Sequence, residues 1–158
     1  MYGLRIRAAV PEDSESICKL ICGLVEKFIA KEFSSQGIDF LLSTITADAI
    51  SENMRSGYRY HVAEVNGLLT GVVAVRDNTH LFHLFVAEQF HRKGIARKLW
   101  QLAMTECLRE GNTGEFTVNS SAYALGVYRK LGFVSQSGPK DKNGVIFYPM
   151  KLIVDSLP

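Results

Sequence analysis

His91-Arg92-Lys93-Gly94-Ile95-Ala96 stands between an apolar, strand-like run, Leu81 to Val86, and a segment of helical periodicity. It is short, basic and glycine-containing, and it falls where a strand hands over to a helix. The first turn of a helix offers unpaired backbone N–H groups and the positive end of the helix dipole, a natural seat for phosphate. Gly94 and Ala96 leave the backbone bare enough for close approach, while Arg92, Lys93, Arg97 and Lys98 surround it with positive charge. The stretch reads as the pyrophosphate cradle of a nucleotide-type cofactor. The plainer alternative is a solvated basic helix start.

Downstream of this turn a long helix is expected from Gly94 to Glu110, stopped by Gly111. Ile95, Leu99, Leu102, Ala103 and Cys107 make its apolar stripe; Arg97, Lys98, Gln101, Thr105 and Arg109 point away. Upstream, Tyr58 to Val65 and Leu68 to Arg76 flank Asn66-Gly67, a two-residue hairpin signal. Asp77-Asn78 then turns the chain into a third strand, Thr79 to Val86. Beyond the long helix come a strand at Glu115 to Asn119 and a helix at Ser121 to Leu131, closed by Gly132. Phe133 to Ser137 and Val145 to Val154 read as last strands across a turn at Pro139 to Gly144. Pro149 pushes the final strand toward an edge position or a bulge.

Before the hairpin, Leu4 to Ala8 reads as a first strand. Pro11 opens a helix whose Ile17, Leu20, Ile21, Leu24 and Phe28 recur at helical spacing. Phe33 to Phe40, with Gly37, reads as a loop, and Thr46 to Arg55 as a shorter helix. The order β-α-α-β-β-β-α-β-α-β-β defines an α/β (α+β) fold around a mixed sheet, with one domain over residues 1–158.

The formal net charge is only +2, too small a basic field for a dedicated nucleic-acid surface. No apolar run is long enough to span a bilayer, so no membrane partner is expected. The first residues lack the apolar core of a signal peptide, which makes a cytoplasmic location the expectation. Cys18 and Cys22 lie four apart on a helix and, with Cys107, read as buried, reduced thiols. No Cys/His spacing suggests a metal site.

Element order and glycine turn together resemble the GNAT family of N-acetyltransferases. The family turn is commonly Gln/Arg-x-x-Gly-x-Gly/Ala, and here His91 replaces its first residue. A second match is Val118-Asn119-Ser120-Ser121-Ala122-Tyr123-Ala124-Leu125-Gly126-Val127-Tyr128-Arg129-Lys130-Leu131-Gly132-Phe133, similar to the family's fifth strand and following helix with its Tyr-x-x-Leu-Gly-Phe ending. The resemblance implies a mixed, mostly antiparallel sheet of about seven strands flanked by four helices. It also implies acetyl-CoA as cosubstrate with no metal, and a homodimer as a common assembly.

By the same resemblance, the backbone of Leu84, Phe85 and Val86 would hold the pantetheine arm as an added strand would. The amides of Arg92, Lys93, Gly94, Ile95 and Ala96 would hold the pyrophosphate, helped by Arg92, Arg97 or Lys98, with His91 a tolerated departure. Asn119 and Ser121 would bond the pantetheine amides or cap the helix. Tyr128 would protonate the departing thiolate, although its position also repeats with Ala124 and Leu131 along one helix face, as a core aromatic would. A backbone N–H near Phe85 or Val86 would hold the oxyanion.

His80, His83 and Glu88 are candidates for the base that deprotonates the amine, beside a water relay needing none. On a regular strand His80 and His83 face opposite sides. His61 has no visible chemical companion. The acceptor, a small-molecule or peptide amine, would enter among Lys27 to Phe40, Tyr58 to Tyr60, Tyr123 and Lys140. Phe28, Phe33, Phe40 and Tyr123 would wall it, and Glu32 or Asp39 would hold a cationic amine; as even alternatives these are core aromatics and solvated carboxylates. No cysteine lies in either motif, so a covalent acetyl-cysteine route has no candidate. The competing function is an acyl-CoA sensor of the same fold that does not turn over.

Overall fold

Val72, Val73, Ala74 and Val75 form an unbroken buried run, as a strand does when both of its faces are covered. They belong to the centre of a mixed sheet in the computed structural model, which describes residues 2–155. Among these, the strands are β1 (Leu4–Ala8), β2 (Arg59–Val65), β3 (Leu68–Arg76), β4 (His80–Val86), β5 (Glu115–Ser120), β6 (Val134–Ser135), β7 (Lys140–Lys142) and β8 (Val145–Ile153). They lie in the order β1-β2-β3-β4-β5-β8-β6, with β7 also on β8. Each pairing is antiparallel except β4 with β5.

The helices are α1 (Ser14–Leu24), α2 (Ser35–Ser43), α3 (Ala47–Arg55), α4 (Ile95–Arg109) and α5 (Leu125–Lys130). Alternate residues of β3 serve opposite faces. Val72 and Ala74 share a core with Ile17, Ile21, Val25 and Ile50 from the α1 and α3 side. Val73 and Val75 share the other core with Leu99, Trp100 and Ala103 of α4 and with Tyr128 of α5. The α/β class and the mostly antiparallel sheet are those expected from sequence; the described residues hold eight strands and five helices rather than about seven and four, because β7 and α2 form where a turn and a loop were expected.

Several boundaries differ, each for a local reason. Phe33 to Phe40 is not a loop: α2 begins at Ser35, and the Ser34 hydroxyl accepts from the Gly37 N–H at 3.1 Å as its N-cap. The helix after β5 starts only at Leu125, because Ser121 caps a preceding turn, its hydroxyl accepting from Ala124 N–H at 3.1 Å. The expected turn at Pro139 to Gly144 contains β7, and the strand at Phe133 to Ser137 shrinks to two residues. Pro149 is not at an edge. It pairs with Asn119, and on its other side it lies between the stretches of β8 that pair with β6 and with β7, so its missing N–H interrupts neither.

The α4 stripe is wider than expected, since Trp100 and Met104 are buried while Leu102 is only half-buried. Trp100 packs edge-on against Phe116 at 5.1 Å. Cys107 is buried, but Cys18 and Cys22 are half-buried free thiols 3.8 Å apart that share the Ile45 carbonyl.

One close approach fixes α2 against the β7–β8 hairpin. A Cβ on Gly37 would sit 2.1 Å from the Gly144 carbonyl oxygen, backbone against backbone. Gly37→Ala is therefore expected to lower stability by about 1–3 kcal/mol, the range for forced overpacking, as measured by urea denaturation. An unchanged midpoint would show that the hairpin yields freely.

Candidate active site

Strand β4 carries one residue too many. Its register against β3 passes from Val75↔Leu81 to Ala74↔His83, leaving Phe82 as the extra residue of a β-bulge. Bulges bend and twist the strand that bears them. On its other side β4 pairs with β5 only at His80↔Thr117 and Leu81↔Val118. Past the bulge the two strands part, and the edge of β4 is left open.

The backbone of that edge alternates. Ala87 N–H donates to the Thr70 carbonyl at 2.8 Å, toward β3. Two residues earlier Phe85 faces β3 likewise, so Leu84 and the Val86 N–H face the open side, the Val86 carbonyl being taken within the protein. The expectation of a shared grip by Leu84, Phe85 and Val86 is thus narrowed to the first and last, and the Phe85 N–H is unsuited to an oxyanion. His91 Nε2 lies 2.6 Å from the Val86 carbonyl oxygen, to which it donates. This ties the turn back to the end of β4.

At the foot of the opening α4 begins. Gly94 has φ +81° and Arg92 φ +61°, both left-handed, which curls the turn before the helix. The bond from Lys98 N–H to the Gly94 carbonyl, 3.1 Å, starts the helical ladder. The N–H groups of Ile95, Ala96 and Arg97 therefore have no helical partner. A Cβ on Gly94 would meet nothing within 4 Å, so the turn is open at this position. Arg92, Lys93 and Lys98 are exposed around it. Arg97 instead donates to the Lys130 carbonyl at 3.2 Å, holding the end of α5 beside the start of α4.

Helix α5 brings Tyr128 to this region. Its ring packs edge-on against Phe133 at 5.8 Å, and it is 8% exposed. Burial pushes its hydroxyl well above the usual phenol range, so it stays protonated through neutral pH. Asn119 on β5 is exposed.

The bulge also answers the question of the two histidines. Leu81 faces the α4 core, and Phe82 the opposite one. His83 pairs with Ala74, which faces that same opposite side. His80 is there too, its Nδ1 2.8 Å from Thr117 Oγ1. His80 and His83 thus share one face, which no regular strand would allow. Burial depresses both: His80 to about 4, helped by the Arg76 charge, and His83 to about 3. His83 Nε2 and His61 Nδ1 are buried without a partner, and burial lowers His61 as well.

The sign of the pH effect follows. Below the ordinary value of 6.5 the unfolded chain protonates these histidines and the folded one does not, so stability falls as pH drops from 6.5 toward 4. Each such group adds a slope of up to about 1.4 kcal/mol per pH unit. His83→Phe is expected to remove one such increment in denaturation series between those limits. An unaltered slope would mean that His83 titrates normally in the fold.

Sequence reasoning missed the contacts of the segment after α1. A π-type turn at Val25–Ile29 and a 3-10 turn at Ala30–Glu32 carry it. Lys27 pairs with Glu88, and Phe28 stacks on Tyr123 at 5.0 Å and lies 6.0 Å from the His91 ring. The Glu32 carboxylate accepts from the backbone N–H groups of Ala122 at 3.0 Å and Tyr123 at 3.1 Å. Glu88 and Glu32 are therefore both engaged within the protein, while Asp39 and Phe40 on α2 are exposed. No local signal marks these long-range pairs.

Together these place an open strand edge, a helix start whose first amides lack helical partners, and a buried tyrosine in one region of the molecule. Residues 29–154 match the family model described as Acetyltransferase (GNAT) domain. The chain belongs to the GNAT family of acetyltransferases.

Solved structures of similar fold include a GCN5-related N-acetyltransferase from Rhodopseudomonas palustris, 17% identical, covering 98% of each chain with a TM-score of 0.83. Another is the PaiA N-acetyltransferase of Thermoplasma acidophilum in complex with coenzyme A, 16% identical over 96% of this chain and 99% of that one, TM-score 0.79. A third is a mutant of the spermidine N-acetyltransferase SpeG of Vibrio cholerae, 17% identical over 97% and 95%, TM-score 0.64. No curated protein matches the chain by sequence.

Proposed function

We propose that the protein transfers an acetyl group from acetyl-CoA directly to an amine, of a small molecule or a peptide. The observation that carries this reading is the parting of β4 and β5 beyond Leu81 and Val118, together with the free amides at the start of α4, the helix that follows β4 in the chain. Acetyl-CoA would supply an activated acyl group whose departing thiolate needs a proton or a hydrogen bond. The diphosphate would lie on the amides of Arg92 to Ala96, its charge matched by Arg92, Lys93 and Lys98. Leu84 and Val86 would bond the pantetheine amides as a neighbouring strand would.

Tyr128 would sit beside the sulfur. A phenol raised by burial is a weaker acid than the thiol it faces, so its contribution is a hydrogen bond that steadies negative charge as the C–S bond breaks, with proton transfer completed as the thiol forms. His80 and His83 are neutral at pH 7, and a neutral imidazole can accept a proton. Their depression to about 4 and 3 makes them weak acceptors for the proton of an ammonium. The amine would therefore shed its proton mainly to water, with His80 and His83 lining the route.

The amine class follows the family, and spermidine is the acceptor named for the Vibrio cholerae neighbour. A cytoplasmic location and a homodimer belong to the same reading; among the described residues no helix is long and apolar enough to cross a membrane.

The experiment is release of free CoA thiol from acetyl-CoA across a panel of amines. Release that depends on an acceptor is expected. Thermal stabilisation by acetyl-CoA with no release for any amine would favour the sensor.

A further inference from the structure

The two walls of the cleft are joined across its mouth by one short segment, residues 27–32. On the β4 wall, Lys27 pairs with Glu88 and the Phe28 ring lies 6.0 Å from His91. On the β5–α5 wall, Phe28 stacks on Tyr123 and Glu32 takes the N–H groups of Ala122 and Tyr123. Those amides belong to the turn from which α5 starts, five and six residues before Tyr128. We infer that Glu32 is a positioning residue: its carboxylate sets the turn that aims α5, and with it Tyr128, at the cleft.

Three features support this. The contact is two-pronged, one carboxylate oxygen to each of two successive amides, which fixes orientation as well as distance. Within the turn the Ser121 hydroxyl and carbonyl both take the Ala124 N–H and the Ala122 carbonyl takes the Leu125 N–H, so the Ala122 and Tyr123 amides are the ones left for Glu32. The π-type turn at Val25–Ile29 interrupts the regular winding after α1 and carries Lys27 and Phe28 of this segment, a distortion that recurs at functional sites. Glu32 is then occupied by backbone and does not hold the ammonium of the acceptor.

The role in catalysis rests on the proposed acetyl transfer, but the bridge itself does not. Two readouts keep them apart. Hydrogen exchange at the Ala122 and Tyr123 amides reports the bridge directly. In Glu32→Ala these two amides are expected to exchange about tenfold faster or more, the scale of a lost hydrogen bond to a charged group, with the rest of α5 retaining its protection. Glu32→Gln keeps one acceptor oxygen and is expected to recover part of that protection. Steady-state kinetics then report the consequence: kcat for Glu32→Ala falls about tenfold for every acceptor alike, while KM for acetyl-CoA changes less than about twofold.

Unchanged exchange at both amides in Glu32→Ala overturns the inference. So does a loss confined to the KM of cationic acceptors, which would make Glu32 a substrate contact. If the unaltered protein transfers acetyl to no amine, the proposed reaction fails, and the exchange data alone judge the bridge.

Discussion

Gly94→Glu is expected to abolish acetyl-CoA binding in calorimetric titration, with affinity reduced beyond about a thousandfold and the fold kept. Two effects combine. The new side chain enters the open space at the helix start, and its carboxylate competes with the diphosphate for the same positive helix end. At φ +81° it also carries a left-handed strain of about 1–2 kcal/mol, so the variant is less stable as well. Gly94→Asn separates these causes, because asparagine tolerates this backbone and brings no charge. It is expected to keep most of the stability and a measurable affinity. Retained affinity in Gly94→Glu would place the diphosphate elsewhere.

Tyr128→Phe is expected to lower kcat by about 10- to 100-fold, at the lower end of what a positioned proton donor supplies, with the affinity for acetyl-CoA nearly unchanged. The phenyl ring preserves the packing on Phe133, and no partner on the protein loses a bond. A drop in kcat with unaltered binding therefore isolates the hydroxyl. Because burial keeps that hydroxyl protonated well beyond neutral pH, the alkaline limb of the rate profile does not belong to Tyr128. Unchanged turnover would reduce Tyr128 to a core aromatic.

Much of this was legible in the chain. The Asn66-Gly67 hairpin, the long helix after the glycine turn and the Tyr-x-x-Leu-Gly-Phe ending are local patterns, and local patterns survive folding. The helix α2 was legible too, had Ser34 been taken as an N-cap followed by Ile38, Leu41 and Leu42 at helical spacing. Gly37 argued for a loop, yet it is there because the Gly144 backbone passes too close for a side chain.

Other features have no local signature. Nothing in Leu81-Phe82-His83 announces a bulge, yet that one extra residue parts β4 from β5 and brings His80 and His83 to the same face. The grip of Glu32 on amides 90 and 91 residues away is likewise a product of the fold. Sequence pointed to the glycine turn, the tyrosine and the β4 backbone one by one; the bulge that parts β4 from β5 beside them emerged only in three dimensions.

The most direct trial of the central claim is a crystal structure with CoA bound. The expected result has the diphosphate on the amides from Arg92 to Ala96, pantetheine bonded to Leu84 and Val86, and the sulfur within hydrogen-bond reach of the Tyr128 hydroxyl. Coenzyme lying on any other face of the sheet, with the gap between β4 and β5 closed or filled by the protein itself, would contradict it.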